Sequence, residues 1–290
     1  VFISADATWD IGDALVGEDC HYVSLTPATQ KPQSMRVQMP TEAVLNALTS
    51  VALAQVNDNL PGVTPGQYYA IVRTDIRNNI VESNESNNAG ASNNTATVDV
   101  EPLTLGVPLT LTLAQGESRY YQVSVPAGET LRIKLDSQST SAANEMYVRL
   151  GQSPSRGAFD YGYSAPFAAD QEIVVPSTQD GNYYILLYGA SVPGGQQLSI
   201  QAELLNFALD GIDLHEGGQG GPVTVKVSGA RFSDHSQVSL SGNGASIPAE
   251  RVYFEDSTTL YATFNLAGVA LGTYDVAVID VTADLSVTAS

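Results

Sequence analysis

The chain has 290 residues and carries 31 Asp and Glu against 12 Lys and Arg, a formal net charge of −19 with its three histidines neutral. Such an excess is repelled by nucleic acid and by anionic membranes, whose binding needs clustered Lys and Arg, so neither is an expected partner. A hydrophobic content of 43% over this length excludes a disordered acidic tail, because the chain can bury cores.

Charged residues make up only 15%, below the usual share of about 25%. Ser, Thr, Asn, Gln and Gly must therefore finish the surface. The single cysteine, Cys20, cannot form an internal disulfide, so stability outside a cell must come from burial or bound ions. No stretch approaches the apolar run needed to span a bilayer, so direct membrane insertion is not expected. The first residues lack a signal-peptide layout. The expectation is a mature product or, in preference, a fragment of a large secreted or surface-displayed bacterial protein.

In chain order, a strand at Val1 to Ala5 comes first. From Thr41 to Val56 the apolar positions Val44, Leu45, Leu48, Val51, Ala52 and Val56 recur at three and four residues, between Pro40 and Asn57-Asp58-Asn59. This spacing predicts one short amphipathic helix covering a sheet; binding a partner helix is the other reading. The dominant pattern elsewhere is alternation at period two between turn residues. Runs of this kind occupy 68–73, 95–100, 120–125, 131–135, 183–188, 223–227 and 274–278. Tyr184 and Tyr188 should share one face of their strand and Tyr183 the other. Strands so spaced, without intervening helices, predict an all-β chain of antiparallel sandwiches.

Boundaries at Glu101-Pro102 and Leu205-Asn206 divide the chain into three consecutive modules, 1–102, 103–205 and 206–290, each of sandwich size. Their net charges are −8, −4 and −7. Acidity thus belongs to every module and not to a tail.

Each piece carries a resemblance. The stretch from Val1-Phe2-Ile3-Ser4-Ala5-Asp6 to Asp13, and Pro65-Gly66-Gln67-Tyr68-Tyr69 running to Asp75 and then Glu82-Ser83-Asn84-Glu85-Ser86-Asn87-Asn88, resemble the bacterial cell-adhesion-related (CARDB) immunoglobulin-like domain. That family carries about two further strands before the first one here. The resemblance therefore implies an open sheet edge at Val1 to Ala5: either further residues of the protein supply the missing strands, or another chain does, by strand addition from a neighbouring copy into a surface filament or matrix. In the second piece, Leu113 to Leu135, Glu145-Met146-Tyr147-Val148 and Gly181-Asn182-Tyr183-Tyr184 to Gly189 resemble the bacterial pre-peptidase C-terminal domain, a jelly-roll-like sandwich appended to secreted peptidases. Where that family shows an acidic D-x-D-L-Y strand, Ala143-Asn144-Glu145-Met146-Tyr147 has lost one acid. In the third, Gly217-Gly218-Gln219-Gly220-Gly221 before Val223 to Gly229, Arg231-Phe232-Ser233 and Gly272-Thr273-Tyr274 resemble the TIG/IPT immunoglobulin-like fold. The glycine-rich loop precedes a strand, so no helix N-terminus is offered to a phosphate and a linking turn is expected.

Catalysis needs a nucleophile with a base, a metal, or paired acids in a cleft. His21, His215 and His235 are scattered, and Cys20 and His21 would point to opposite faces of a strand. The chain is not expected to be an enzyme. Calcium is the expected ion, since loops rich in Asp, Asn and Glu supply its oxygen ligands. Asp75, Asn78, Glu82, Glu85, Asn87 and Asn88 fall in one such loop, and Asp6, Asp10 and Asp13 form a second cluster near Trp9. The competing reading is that these residues close turns through their own backbone. Phe159, Tyr161, Tyr163 and Phe167 crowd one irregular stretch and could stack on a glycan or grip a matrix protein, or else pack into the core.

The combined expectation is a non-catalytic structural or adhesion protein outside the cell or on its surface, contacting neighbouring copies or other domains of the same protein. The alternative is an accessory carbohydrate- or protein-binding region of a secreted bacterial hydrolase.

Overall fold

A computed structural model of the chain describes residues 2–15, 65–73 and 88–289. The helix expected over Thr41–Val56, Cys20 with His21, and the acid-rich loop carrying Asp75, Asn78, Glu82, Glu85 and Asn87 lie outside the described residues. The described part is all β, in antiparallel sheets. It divides into two compact units, one within Val1–Glu101 with Glu117–Tyr120, the other within Pro102–Gly116 and Tyr121–Ser290.

In the first unit, β1 (Phe2–Ser4), β2 (Ala14–Leu15), β3 (Gly66–Arg73) and β4 (Ala89–Val98) form a sheet in the order β2-β1-β3-β4. The open edge expected at Val1 to Ala5 is not there. Phe2 is registered with Leu15 on one side and Ile71 on the other, and Ile3 with Ala14 and Ala70, so β1 lies between β2 and β3, with Ser4 paired to Tyr69 of β3. The loop that returns the chain to make β2 is tied down by its own side chains. Asp6 Oδ1 accepts from the Thr8 amide (2.7 Å), Asp10 Oδ1 from Gly12 (2.7 Å) and Asp13 Oδ2 from Asp10 (2.9 Å). Trp9 fastens the loop to the sheet: its ring meets Phe2 edge-on at 5.9 Å, and the Arg73 guanidinium lies 3.7 Å over it.

The second unit holds two sandwiches. The first is built from β5 (Glu101–Pro102), of which Pro102 falls in this unit, β6 (Leu109–Leu113), β7 (Ser118–Val125), of which Tyr121–Val125 fall in it, β8 (Leu131–Ser137), β9 (Ala143–Leu150), β10 (Tyr161–Gly162), β11 (Gln171–Val175), β12 (Gly181–Ser191) and β13 (Gln196–Leu204). Its sheets run β10-β9-β12-β7-β5 and β11-β8-β13-β6. From β6 onward nearly every connection crosses from one sheet to the other, so inward residues of alternate strands meet face to face. Val123, Met146, Val148, Ile185 and Leu187 from one sheet pack on Leu131, Ile133, Leu135, Leu198 and Ile200 from the other, all at most 2% exposed. Truncating one of these leucines or isoleucines to Ala would cost about 2–5 kcal/mol. The bulge at Gly189–Ser191 needs its glycine, because a Cβ at Gly189 would lie 2.3 Å from the Ala114 carbonyl oxygen.

The second sandwich contains β14 (Ala208–Ile212), β15 (Pro222–Ala230), β16 (Ser236–Gly242), β17 (Ala245–Pro248), β18 (Arg251–Asp256), β19 (Thr259–Asn265), β20 (Asp275–Asp280) and β21 (Leu285–Ala289). Its sheets are β14-β15-β19-β18 and β17-β16-β20-β21. Val227, Phe232, Val238, Leu260, Phe264 and Val278 fill the space between them. The glycine-rich loop before β15 enters a strand, as its position in the sequence requires.

Candidate functional site

Two places in the second unit concentrate polar and aromatic chemistry. The first is the outer face of β9 and β12. Met146 and Val148 point inward, so Glu145 and Tyr147 point out; likewise Tyr183 packs in the core while Tyr184, Leu186 and Tyr188 take the other face. The segment between β9 and β10 folds back over this face. Arg156 forks onto Glu145, with Nε 2.6 Å from Oε2 and Nη2 2.8 Å from Oε1, and its guanidinium lies 4.2 Å over the Tyr188 ring. Tyr147 donates its hydroxyl to Glu145 Oε2 at 2.8 Å. Burial raises the Tyr147 phenol, and the hydrogen bond to Glu145 raises it further. Burial alone would raise Glu145, but the bonds from Arg156 and Tyr147 outweigh it and hold the carboxyl below its usual value. The acid retained from the D-x-D-L-Y pattern is therefore engaged by a cation and a phenol.

The four aromatics read as one stretch do not form a row. Tyr161 and Tyr163 lean on the core. Phe159 stacks on Tyr147 at 4.8 Å between centroids and remains about half exposed, whereas Phe167 stands 89% exposed. Of the two acidic clusters, Asp6, Asp10 and Asp13 are described, and of the other Asn88 alone. Each of the three Asp carboxylates accepts a backbone amide in the β1–β2 loop, and among the described residues no three His, Cys, Asp or Glu side chains gather as metal ligands.

The second place is the junction of the two sandwiches. At the end of the first, the turns at 126–130 and 176–178 are laced together. Thr178 Oγ1 donates to the Pro126 carbonyl (2.7 Å) and accepts from the Glu129 amide (2.9 Å). They present Thr130 and Ser177 to the turn between β18 and β19. Thr130 Oγ1 lies 2.7 Å from Ser257 Oγ, both residues at most 1% exposed. Ser177 and Ser257 exchange bonds, each backbone amide donating to the other's hydroxyl at 2.8 and 2.9 Å. The Arg231 amide donates to Thr130 Oγ1 at 3.0 Å, and its Nε sits 3.2 Å from Glu129 Oε2. Ser177 and Arg231 both hold positive φ, at 49° and 57°. That conformation is unfavourable for side-chain-bearing residues and persists only where its surroundings over-determine it. Isolated Ser and Thr in turns carry no pattern, so Thr130, Ser177 and Ser257 do not stand out in the sequence.

Residues 117–189 match the family model described as the bacterial pre-peptidase C-terminal domain, inside the first of these sandwiches. No curated protein matches the chain. Among solved structures, the pre-peptidase C-terminal domain of a Bacillus anthracis collagenase is similar at 12% identity and a TM-score of 0.31, covering 36% of this chain and 95% of that one. PliG from Aeromonas hydrophila, a periplasmic inhibitor of g-type lysozyme, has 17% identity and a TM-score of 0.30 over 37% of this chain and 96% of its own. CorA, a surface-associated copper-binding protein of Methylomicrobium album BG8, has 7% identity and a TM-score of 0.28 over 37% and 98%.

Proposed function

We propose that the chain is a non-catalytic extracellular region of a secreted or surface-displayed bacterial protein, in which the sandwiches at 103–205 and 206–290 act as one rigid spacer. The observation that supports it most is the junction, where five polar contacts from Thr130, Ser177, Glu129, Arg231 and Ser257 cross between sandwiches, the Thr130–Ser257 pair buried and three of the others partly so. Flexible beads on a string would be joined through solvated linkers, whereas a buried donor or acceptor here loses about 1–3 kcal/mol if its partner leaves. Adhesion, neighbouring copies as partners and stabilisation by Ca²⁺ extend this reading. The pre-peptidase C-terminal match fits an accessory region that works beside other domains. Among the described residues no helix is long and apolar enough to cross a membrane.

Amide exchange of the full chain in increasing urea tests the rigid unit. Peptides from β8 and β19 should lose protection at the same urea concentration; loss from β19 well before β8 would make the modules independent.

A second reading is the accessory binding region of a secreted hydrolase, favoured by the half-exposed Phe159 on the Tyr147 ring. Millimolar glycan or collagen-peptide binding that Phe159→Ala abolishes supports it, and no binding removes it.

A further inference from the structure

The outer face of the sheet β14-β15-β19-β18 carries a surface that the fold does not use. Val225 and Val227, Leu260, Ala262 and Phe264, and Val252 and Phe254 face the core, so the residues between them point outward. Register sets these side by side across three strands: Tyr253 of β18 lies opposite Tyr261 of β19, and Tyr261 opposite Lys226 of β15. The next row holds Arg251, Thr263 and Thr224, the two threonine hydroxyls 2.8 Å apart. The tyrosine rings stand 6.3 Å apart between centroids, inclined at 43°, and Tyr253 is 65% exposed. Two strand spacings, roughly 10 Å, separate Tyr253 from Lys226.

At Lys226 this row runs into a groove of about 500 Å³ between the two sandwiches of the unit. Lys226, Ser228 and Thr259 line one side of it, and Arg132 of β8 with Glu172 and Val174 of β11 the other. Clefts between packed modules are a favoured place for ligands. Lys226 is half-buried, yet unlike Arg132, Arg156 and Arg231 in the same unit its charged end has no carboxylate partner among the described residues. The groove as a whole offers hydroxyls, two cations (Arg132 and Lys226) and two carboxylates (Glu172 and Asp210), so donors and acceptors are both at hand and neither sign of charge prevails. The tyrosine rings stand out from the sheet and do not line a pocket, which suits a flat apolar face laid on them rather than an inserted anchor. A pyranose with equatorial hydroxyls has such faces: its axial C–H bonds point up and down against the negative faces of the rings, and its hydroxyls point outward to donors and acceptors.

We propose that this face and groove bind a neutral glycan chain of gluco-configured sugars, stacked on Tyr253 and Tyr261 and hydrogen-bonded by Lys226 and the groove beyond it. The net charge of −19 repels a polyanionic chain but has no effect on a neutral one. The site is separate from the Phe159 face. Its tyrosine pair lies wholly within the second sandwich, so stacking there does not rest on the spacer role.

The test is an NMR titration of the full chain with cellohexaose, maltohexaose and chitohexaose at millimolar concentration, three chains that differ in linkage and in the acetamido group. At least one should shift amides of β15, β18 and β19 and, across the groove, those of Arg132 and Val174; the one preferred identifies the source. Tyr253→Ala, at an exposed position of an edge strand, leaves the core untouched and should weaken binding about fivefold or more, whereas Tyr253→Phe keeps the ring and should retain it. Affinity should change by less than about twofold between about 0.05 and 0.5 M salt, because no net charge meets the ligand. No binding of any of the three, shifts that map to Phe159 and Tyr147 instead, equal affinity in Tyr253→Ala, or affinity that falls steeply with salt would overturn the proposal.

Discussion

Asp280 closes β20 and is 3% exposed. Its Oδ2 accepts from the Ser233 hydroxyl, and its Oδ1 from the Thr282 amide (2.9 Å), the Thr282 hydroxyl (2.7 Å) and the Ala283 amide (3.0 Å). Burial alone would raise this carboxyl. The bonds to its charged form outweigh burial and bring it from 3.8 to about 2. A carboxyl depressed in the fold binds fewer protons there than in the unfolded chain between these values, so its contribution is complete above pH 4 and is lost as pH falls through 2. At about 1.4 kcal/mol per unit, that contribution is roughly 2 kcal/mol. Asp280→Asn keeps the shape and an oxygen for Thr282 and Ala283 but carries no charge. Urea unfolding of both proteins from pH 5 to pH 2 isolates the effect, because every other carboxylate titrates in both. The wild type should lose about 2 kcal/mol more than the variant across this window. Parallel curves would refute the assignment of that stability to Asp280.

Gly229→Ala should cost more than about 3 kcal/mol by urea midpoint, since its Cβ would stand 2.1 Å from the Ala208 carbonyl oxygen and 2.4 Å from Phe232 Cζ, and the backbone oxygen cannot yield. Phe167→Gly removes no buried contact and relieves a left-handed φ, so it should stabilise by a few tenths to about 1 kcal/mol; an equal loss would show that the ring contributes to the fold. Calcium held by Asp75, Asn78, Glu82, Glu85 and Asn87 should raise the melting midpoint in millimolar Ca²⁺ over EDTA. Asp10→Asn should leave that shift intact, because Asp10 is a turn acceptor. An unchanged midpoint would remove calcium from the account.

The strands were legible because alternation at period two is imposed by burial of one face. The run at 131–135 became β8 with Leu131, Ile133 and Leu135 fully buried, and Tyr183 parted from Tyr184 and Tyr188 as the pleat requires. Pairing partners were less legible. The two-residue β2 shows no alternation, yet by pairing with β1 it turns an expected edge into an interior strand. The stretch from Phe159 to Phe167 looked continuous in composition, but β10 and the turn after it send Tyr161 and Tyr163 to the core and Phe167 to solvent. The junction was hidden altogether: Thr130 and Ser257 are separated by 127 residues and have the composition of ordinary turns.

The most direct measurement of the rigid-unit claim is native-state amide exchange on Thr130→Val. This isosteric change at a fully buried site removes the acceptor of the Arg231 amide and the partner of Ser257 Oγ. Losing those bonds should lower stability by about 1–3 kcal/mol, so exchange through global opening should quicken about 5- to 150-fold. The same acceleration is expected at Ile133 in β8 and at Val227 and Leu260 across the junction. Acceleration confined to the sandwich that contains residue 130 would contradict it.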